Sequence, residues 1–428
     1  MSKYRIQPST LKGELTLPSS KSHTLRALLF AGMAKGVSKV FNYLPSPDTQ
    51  AMIRALEALG AILDVSETEI RIDGTAGKLK AADDVINCGN SGQVLRFVGA
   101  LSALLPSYTV FTGDHSIRHN RPVKPLLDGL KQLGAFAESS RGDGFAPILI
   151  RGPITKEKAT ISGEDSQPVS GLLIAGSFAS HSIELHVTNP GEKPWIDLTL
   201  YWLRKLGISY ANENYERYAL KGNAKIEHFD YTVPGDFSSA AFPIAAAVLT
   251  NSEITLSGID MEDPQGDKAI IPTLEKMGVH FEIDALQKTL TVKKGAKLQG
   301  MKIDCNEMID ALPILAVIGC FAKGKTEICN AAIARKKESD RIRCITSELQ
   351  KMGAKIEEKP DGLIIHESTL KGATVETYHD HRLVLALSVA ALATKGETTV
   401  LGVKAAEKTY PRFLKDFQSL GAKIEEIS

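Results

Sequence analysis

The chain has 428 residues, with 51 Lys and Arg against 50 Asp and Glu, for a formal net charge of +1. That balance argues against a nucleic-acid or membrane-surface protein, which would need a basic excess, and a content of 43% hydrophobic and 24% charged residues argues against disorder. At roughly 150 residues per domain, two or three domains are expected.

Taken in chain order, residues 1–17 (MSKYRIQPSTLKGELTL) hold no apolar stretch of the kind a secretion signal needs. Strand-like stretches follow one another as ELTL, EIRI, PILIRG, TLTVKK and GLIIH. Between them lie six apolar, Ala-rich helices, predicted over Ser22 to Gly36, Asn90 to Leu105, Ser166 to Ala179, Ser238 to Leu249, Asp310 to Gly324 and Asp380 to Gly396. Each opens at Ser, Asn or Asp, residues suited to accept from unpaired first-turn N–H groups, and each is apolar nearly all round, which predicts burial. The longest apolar run, Ala311 to Ala322, falls well short of the ~20 residues needed to cross a bilayer and reads as part of a core helix. Five cysteines, Cys88, Cys305, Cys320, Cys329 and Cys344, form no CxxC pair or metal-ligand cluster, and a reducing cytoplasm suits them.

A second, amphipathic kind of helix carries the repeat. LEALGA, LKQLGA, LRKLGI, LEKMGV, LQKMGA and FQSLGA place glycines at Gly60, Gly134, Gly207, Gly278, Gly353 and Gly421, 68 to 75 residues apart. Glycine is expected where a helix stops, because it takes positive φ without strain. Six units of strand, buried helix, strand, outer helix and two strands therefore span the chain, an α/β fold whose repeats cannot bury both faces alone. Three plus three in two domains is the economical arrangement, with a break near Phe229 to Phe237: a domain over 18–230, and a second over 231–428 completed by residues 1–17. The crossings near 17–20 and 230–236 would form a hinge.

The polar residues of interest gather at the starts of the buried helices, where unpaired N–H groups favour anions. Lys21 and Arg26 flank Ser22, Arg96 follows Gly89-Asn90-Ser91-Gly92, and His381 and Arg382 follow Asp380. Arg118, Arg121, Lys337, Arg341 and Lys408 add further cations near the outer helices. If these face one cleft, the cleft is cationic within a neutral protein and suits a small polyanion. Each motif alone has a plainer reading: Lys21-Ser22 as a cap, GNSG as a turn, KKESDR as a solvated helix start. Asp310 reads either as a helix cap or as a general base at an apolar edge.

Eight segments carry a resemblance: PSSKSHTLRALLFAG (18–32), GNSGQVLR (89–96), NRPVKPLLDGLKQLGA (120–135), KPWIDLTL (193–200), PGDFSSAAF (234–242), KKESDR (336–341), DHRLVLALSVAALA (380–393) and KTYPRFL (408–414). Together, over essentially the whole chain, they resemble the enolpyruvyl transferases, most closely the branch acting on shikimate 3-phosphate. The resemblance implies the inverse α/β barrel fold of two domains with three βαβαββ units each. It also implies transfer of the enolpyruvyl group of phosphoenolpyruvate to the 5-hydroxyl of shikimate 3-phosphate, in the cytoplasm, on the route to chorismate and the aromatic amino acids, with glyphosate as family inhibitor. Carried over by position, Lys21 bridges both substrates. Gly92, Arg121, Gln167, Arg341, Arg382 and Lys408 hold phosphoenolpyruvate, and Ser22, Arg26, Ser166, Trp195 and Lys337 hold the acceptor. Asp310 takes the hydroxyl proton, Glu338 protonates the methylene carbon, and His381 and Lys408 assist proton traffic. Domain closure would assemble these groups. No metal or organic cofactor, nucleic acid or membrane is indicated, and a monomer is expected.

Some residues depart from the family pattern. Asp165 and Glu192 stand where phosphate-binding serines are usual, and Ile333 where Asn is usual; either the two carboxylates point away from the acceptor, which is the expectation, with Arg26, Lys337 and main-chain N–H groups sufficing, or the acceptor differs from shikimate 3-phosphate. Gln93 and Phe97 replace a Thr and a Pro, which predicts altered glyphosate sensitivity. The related transferases that act on UDP-N-acetylglucosamine carry a reactive Cys before the Arg-Pro-Val segment, and GDHSIRHNR (113–121) has none; Cys88 reads as structural. A non-catalytic scaffold on the same fold is disfavoured by the retention of Asp310, Glu338, Arg341, Arg382 and Lys408.

Overall fold

All six glycines of the repeated segment sit at positive φ, Gly60 at 101°, Gly134 at 88°, Gly207 at 70°, Gly278 at 102°, Gly353 at 93° and Gly421 at 97°. Each ends an outer helix and turns the chain into a strand, as in Pro47–Ala58 followed by Ile62–Val65. The computed structural model describes residues 2–427, and the chain forms two units, Ser19–Val233 and Met1–Pro18 with Pro234–Ser428.

Each unit holds three four-stranded sheets of one design. In every sheet the first two strands run parallel and the rest antiparallel, for example Ile86–Asn87 beside Thr109–Thr112, then Ile148–Arg151 and Phe136–Ser139. In four of the six sheets the buried helix supplies the crossover that a parallel pair requires, as Gly92–Ser102 does between Ile86–Asn87 and Thr109–Thr112.

The N-terminal segment enters two sheets of the second unit. Lys3–Gln7 lies between Thr398–Leu401 and Lys423–Ile427, pairing Arg5 with Thr399 and Ile6 with Ile424. Lys12–Thr16 runs parallel to Glu253–Ser257. ELTL therefore does not share a sheet with the first repeat. The strand parallel to Val37–Phe41 is Asp230–Thr232, from the far end of the Ser19–Val233 unit.

The buried helices are Lys21–Met33, Gly92–Ser102, Ser166–Phe178, Phe237–Leu249, Leu312–Phe321 and His381–Ala393. Every residue of Gly92–Ser102 is buried, and each unit has its own core, one around Phe30, Phe97 and Trp202, the other around Phe242, Ile318 and Phe413. At about 1.5–3 kcal/mol per large apolar side chain, these cores dominate the stabilisation.

Four caps differ from expectation. Ser20, not Ser22, caps Lys21–Met33; Ser91, not Asn90, caps Gly92–Ser102; Asp165 precedes Ser166; and Asp236, not Ser238, caps Phe237–Leu249. In each case the cap has the extended backbone that lets its side chain reach back to a first-turn N–H, and the predicted residue is released for other bonds. Asp310 caps nothing: it lies in a 3-10 turn, Asn306–Ala311, ahead of Leu312–Phe321, which has no side-chain cap. All five cysteines are free thiols, and among the described residues no helix is long and apolar enough to cross a membrane.

Candidate active site

In the Ser19–Val233 unit the polar side chains collect where three buried helices begin. Lys21 Nζ lies 3.6 Å from Asp48 Oδ2, which also accepts from Ser91 Oγ at 3.1 Å. Ser22, freed from capping, accepts from Gln93 Nε2 at 3.2 Å. One turn on, Arg26 is 1% exposed. Its guanidinium donates to Thr199 Oγ1 at 2.9 and 3.1 Å, to the Trp195 carbonyl at 3.2 Å and to the Ser22 carbonyl at 3.2 Å. Its carbon lies 5.0 Å from the Phe97 ring centroid. All these partners are neutral. Burial without a counter-charge lowers the Arg26 pKa to about 9, and an anion arriving there would reverse that shift.

Arg96 organises the neighbouring helix start. It donates to the Gly92 carbonyl and Gln167 Oε1, both at 3.3 Å, and to the Pro122 carbonyl at 2.8 Å, and it pairs with Asp165 at 3.2 Å. Arg121 donates to the Asn90 carbonyl at 3.4 Å. A Cβ on Gly92 would stand 2.6 Å from Arg121 Nη1 and 2.8 Å from Arg96 Nη1. Glycine leaves room here for the close approach of two guanidinium groups.

The carboxylates do not point away. Asp165 Oδ1 accepts from the Gln167 N–H at 3.0 Å, and Glu192 Oε2 accepts from the Ser166 N–H at 3.0 Å and Ser166 Oγ at 3.2 Å. Glu192 is 1% exposed and sits at φ 47°, ψ 39°, a left-handed backbone that costs a non-glycine residue about 1 kcal/mol. The unpaired N–H groups of a helix start attract a carboxylate as they would a phosphate. Trp195 bonds Arg26 through its carbonyl, and Ile333, in the other unit, is a core residue.

In that other unit one network joins five of the expected residues. Arg341 donates to Asp310 Oδ1 at 2.7 Å, to Glu338 Oε2 at 2.9 Å and to Asp380 Oδ2 at 2.9 Å. Arg382 donates to Asp310 Oδ2 at 2.9 Å, and Lys408 to Glu338 Oε1 at 2.8 Å. His381 Nδ1 is 3.7 Å from both Glu338 Oε1 and Asp380 Oδ1. Burial works to raise the Asp310 pKa, but Arg382, then Arg341 and Lys337, outweigh it and hold the carboxyl well below its ordinary value. Glu338, Asp380 and His381 bring possible metal-ligand atoms within 4.8 Å of one another. The Arg341 and Lys408 cations already bond the Glu338 and Asp380 carboxylates, so the charge a metal would bring is supplied by side chains.

Two expectations change. The cationic excess predicted at these helix starts is absent from this network, where Arg341, Arg382 and Lys408 face Asp310, Glu338 and Asp380; buried guanidinium groups need carboxylates to offset desolvation. Asp380, read from sequence only as a helix opener, is the residue that bonds Arg341 Nε, Ser339 Oγ at 3.0 Å and the Arg382 N–H at 2.9 Å. Asp48, Thr199 and Asp267 were also missed. Asp380 had a usable signal in Asp-His-Arg at a helix start and Thr199 lies within KPWIDLTL (193–200), whereas Asp48 lies on an outer helix without a motif.

The family model for EPSP synthase (3-phosphoshikimate 1-carboxyvinyltransferase) matches residues 6–417. The chain belongs to the EPSP synthase family. Among curated relatives, the 3-phosphoshikimate 1-carboxyvinyltransferase of Acetivibrio thermocellus is 41% identical over 98% of this chain and 98% of its own length. That of Methanocaldococcus jannaschii is 42% identical over 97% of each. The EPSP synthase structure from Acinetobacter baumannii aligns over all of both chains with TM-score 0.82 at 26% identity. The enolpyruvyl transferase NikO from Streptomyces tendae, at 18% identity and TM-score 0.77, shares the fold. The six small mixed sheets and their buried helices are thus the α/β fold of EPSP synthases.

Proposed function

We propose that this EPSP synthase family member transfers the enolpyruvyl group of phosphoenolpyruvate to the 5-hydroxyl of shikimate 3-phosphate, releasing phosphate. The observation that carries the reading is the Asp310 carboxylate, gripped by Arg341 and Arg382 next to the Glu338–Lys408 pair, in a chain about two-fifths identical to enzymes named for this reaction. In the addition step the acceptor oxygen bonds to C2 of phosphoenolpyruvate, its proton passes to Asp310, and C3 gains a proton to become a methyl group. In the elimination step the C2–O bond to phosphate breaks and a proton leaves the methyl group, restoring the double bond.

Lys21, Gly92, Arg121, Gln167, Arg341, Arg382 and Lys408 serve the phosphate and carboxylate of phosphoenolpyruvate, where bidentate guanidinium groups give more than lysine could. Ser22, Arg26, Ser166, Trp195 and Lys337 serve the acceptor; Arg26 is supported by having only neutral partners. Glu338 is an acceptor from both Arg341 and Lys408. Protonation of the methylene carbon by Glu338 is therefore fed by the Lys408 ammonium, with His381 alongside. Gln93, bonded to Ser22, and Phe97, under Arg26, are the two positions that set glyphosate sensitivity apart from other members. We place the enzyme in the cytoplasm as a monomer acting on small molecules, to which its free thiols are suited.

The test is phosphate release with phosphoenolpyruvate plus shikimate 3-phosphate, set against unphosphorylated shikimate and UDP-N-acetylglucosamine. Release with shikimate 3-phosphate alone is expected; its absence at every concentration overturns the reading, and release with UDP-N-acetylglucosamine would move the chain to the sister activity.

A further inference from the structure

Next to Asp310 lies a carboxylate that the reaction scheme above does not use. Asp267, in the 3-10 turn Gly266–Ala269, is fully buried. Its Oδ2 accepts from Ser238 Oγ, at the start of Phe237–Leu249, while Oδ1 is buried without a hydrogen-bond partner. Arg382 shows the complementary deficit: one nitrogen bonds Asp310, and its buried Nε and Nη1 have no partner. Ser238 from the start of Phe237–Leu249 bonds Asp267, and within electrostatic reach of it lie Asp310 from the Asn306–Ala311 turn, Arg382 from the start of His381–Ala393, Asp236 and the Cys305 thiol.

We propose that Asp267 is a positioning residue that shares Arg382 with Asp310, drawing the guanidinium toward itself when ionised and so freeing Asp310 to accept the proton of the acceptor hydroxyl. The inference rests on Asp310 being the base of the proposed reaction. The geometry addresses a difficulty in that scheme, because a carboxylate bonded by two arginines is a poor proton acceptor. An ionised Asp267 acts on both terms: it competes for Arg382, and its own negative charge opposes that of Asp310. Desolvation, followed by the charge of Asp310, raises the Asp267 pKa to about 7, so the competition would switch on across neutral pH.

The experiment uses the full chain at saturating substrates. Wild-type kcat is expected to rise with pH through about 7. Asp267→Asn, which stays neutral, should lose that limb and fall several-fold to about tenfold in kcat at pH 8, roughly one unit of basicity at Asp310. Ser238→Ala removes a bond that favours the ionised form and should move the limb to higher pH, and it keeps the proposal testable if Asp267→Asn does not fold. In ligand-free protein, carboxyl carbon NMR should find the Asp310 titration at lower pH in Asp267→Asn than in wild type. Unchanged pH profiles in both variants, or an unmoved Asp310 signal, overturn the proposal. Failure of wild type to release phosphate overturns the assigned reaction instead, and the NMR comparison still decides whether Asp267 governs Asp310.

Discussion

The two buried clusters of charge are built on opposite lines. At the start of Lys21–Met33, Arg26 is held by a hydroxyl, two carbonyls and an aromatic face, with no carboxylate opposite it. At the start of His381–Ala393, Arg341 bonds three carboxylates and Arg382 a fourth oxygen. Taking a cation out of water costs several kcal/mol unless it is paired. The first cluster leaves that cost to be offset by an incoming anion, which suits ground-state binding of a phosphorylated acceptor. The second offsets it internally, which fixes carboxylates and cations at bonding distance and suits proton transfer. Burial of arginine is thus not one signal: the identity of the partners separates a binding cation from a catalytic network.

The largest effect should come from the second cluster. Asp310→Asn keeps the volume but, with a single amide oxygen, can accept from only one of Arg341 and Arg382, and it removes the base, so kcat should fall by about 10²–10⁴. Both substrates should still bind within a few-fold by calorimetry. Near-normal turnover would take the base role from Asp310 and leave the network a structural one.

In the first cluster the expected split is reversed. Arg26→Lys loses the guanidinium fork and should raise the acceptor KM by roughly 30-fold, about 2 kcal/mol, with kcat nearly unchanged. Arg26→Met should bind no acceptor yet melt at a higher temperature, because a buried cation with neutral partners is destabilising until an anion arrives. A lower melting temperature for Arg26→Met would mean that the neutral partners already compensate it, and the contrast between the clusters would collapse.

How much of this was legible in the sequence depends on whether a residue's role is local. The glycines at 60, 134, 207, 278, 353 and 421 were readable because positive φ at a helix end is a property of a few neighbouring residues. The buried helices were readable for the same reason. Caps were displaced by one or two residues because Ser19, Ser20 and Ser22, or Asp236 and Ser238, are chemically interchangeable as caps and only backbone geometry selects one. Asp310 was ambiguous between cap and base, since its bonds to Arg341 and Arg382 span 31 and 72 residues. The strand that partners ELTL was not legible for a comparable reason: Glu253–Ser257 is separated from it by the whole Ser19–Val233 unit.

Gly92 tests the packing of the first cluster at intermediate scale. An alanine methyl would fall 2.6 Å from Arg121 Nη1 and 2.8 Å from Arg96 Nη1, so the guanidinium groups must shift by several tenths of an ångström. Gly92→Ala should raise the phosphoenolpyruvate KM by about tenfold, in line with loss of well-placed charged hydrogen bonds, while the acceptor KM moves little. Equal rises in both KM values would point to displacement of the whole helix start instead of the two arginines.

The smallest expected effect concerns Glu192, which with Asp165 is an anion already seated on a helix start in the first cluster. Its carboxylate takes the Ser166 N–H and hydroxyl that the proposed reaction assigns to the acceptor, so the phosphate must share those donors or displace it. Glu192→Gln keeps an oxygen that can accept the same bonds, and with it the left-handed turn at this residue, but removes the charge. Removing that one like charge should lower the KM for shikimate 3-phosphate by about threefold and leave unphosphorylated shikimate unaffected. If the KM instead stays fixed in Glu192→Gln and rises in Glu192→Ala, Glu192 is a brace that holds Ser166 in place. Arg26 would then be the principal anion receptor of this unit, and the contrast between a binding cation and a paired network would rest on a single side chain.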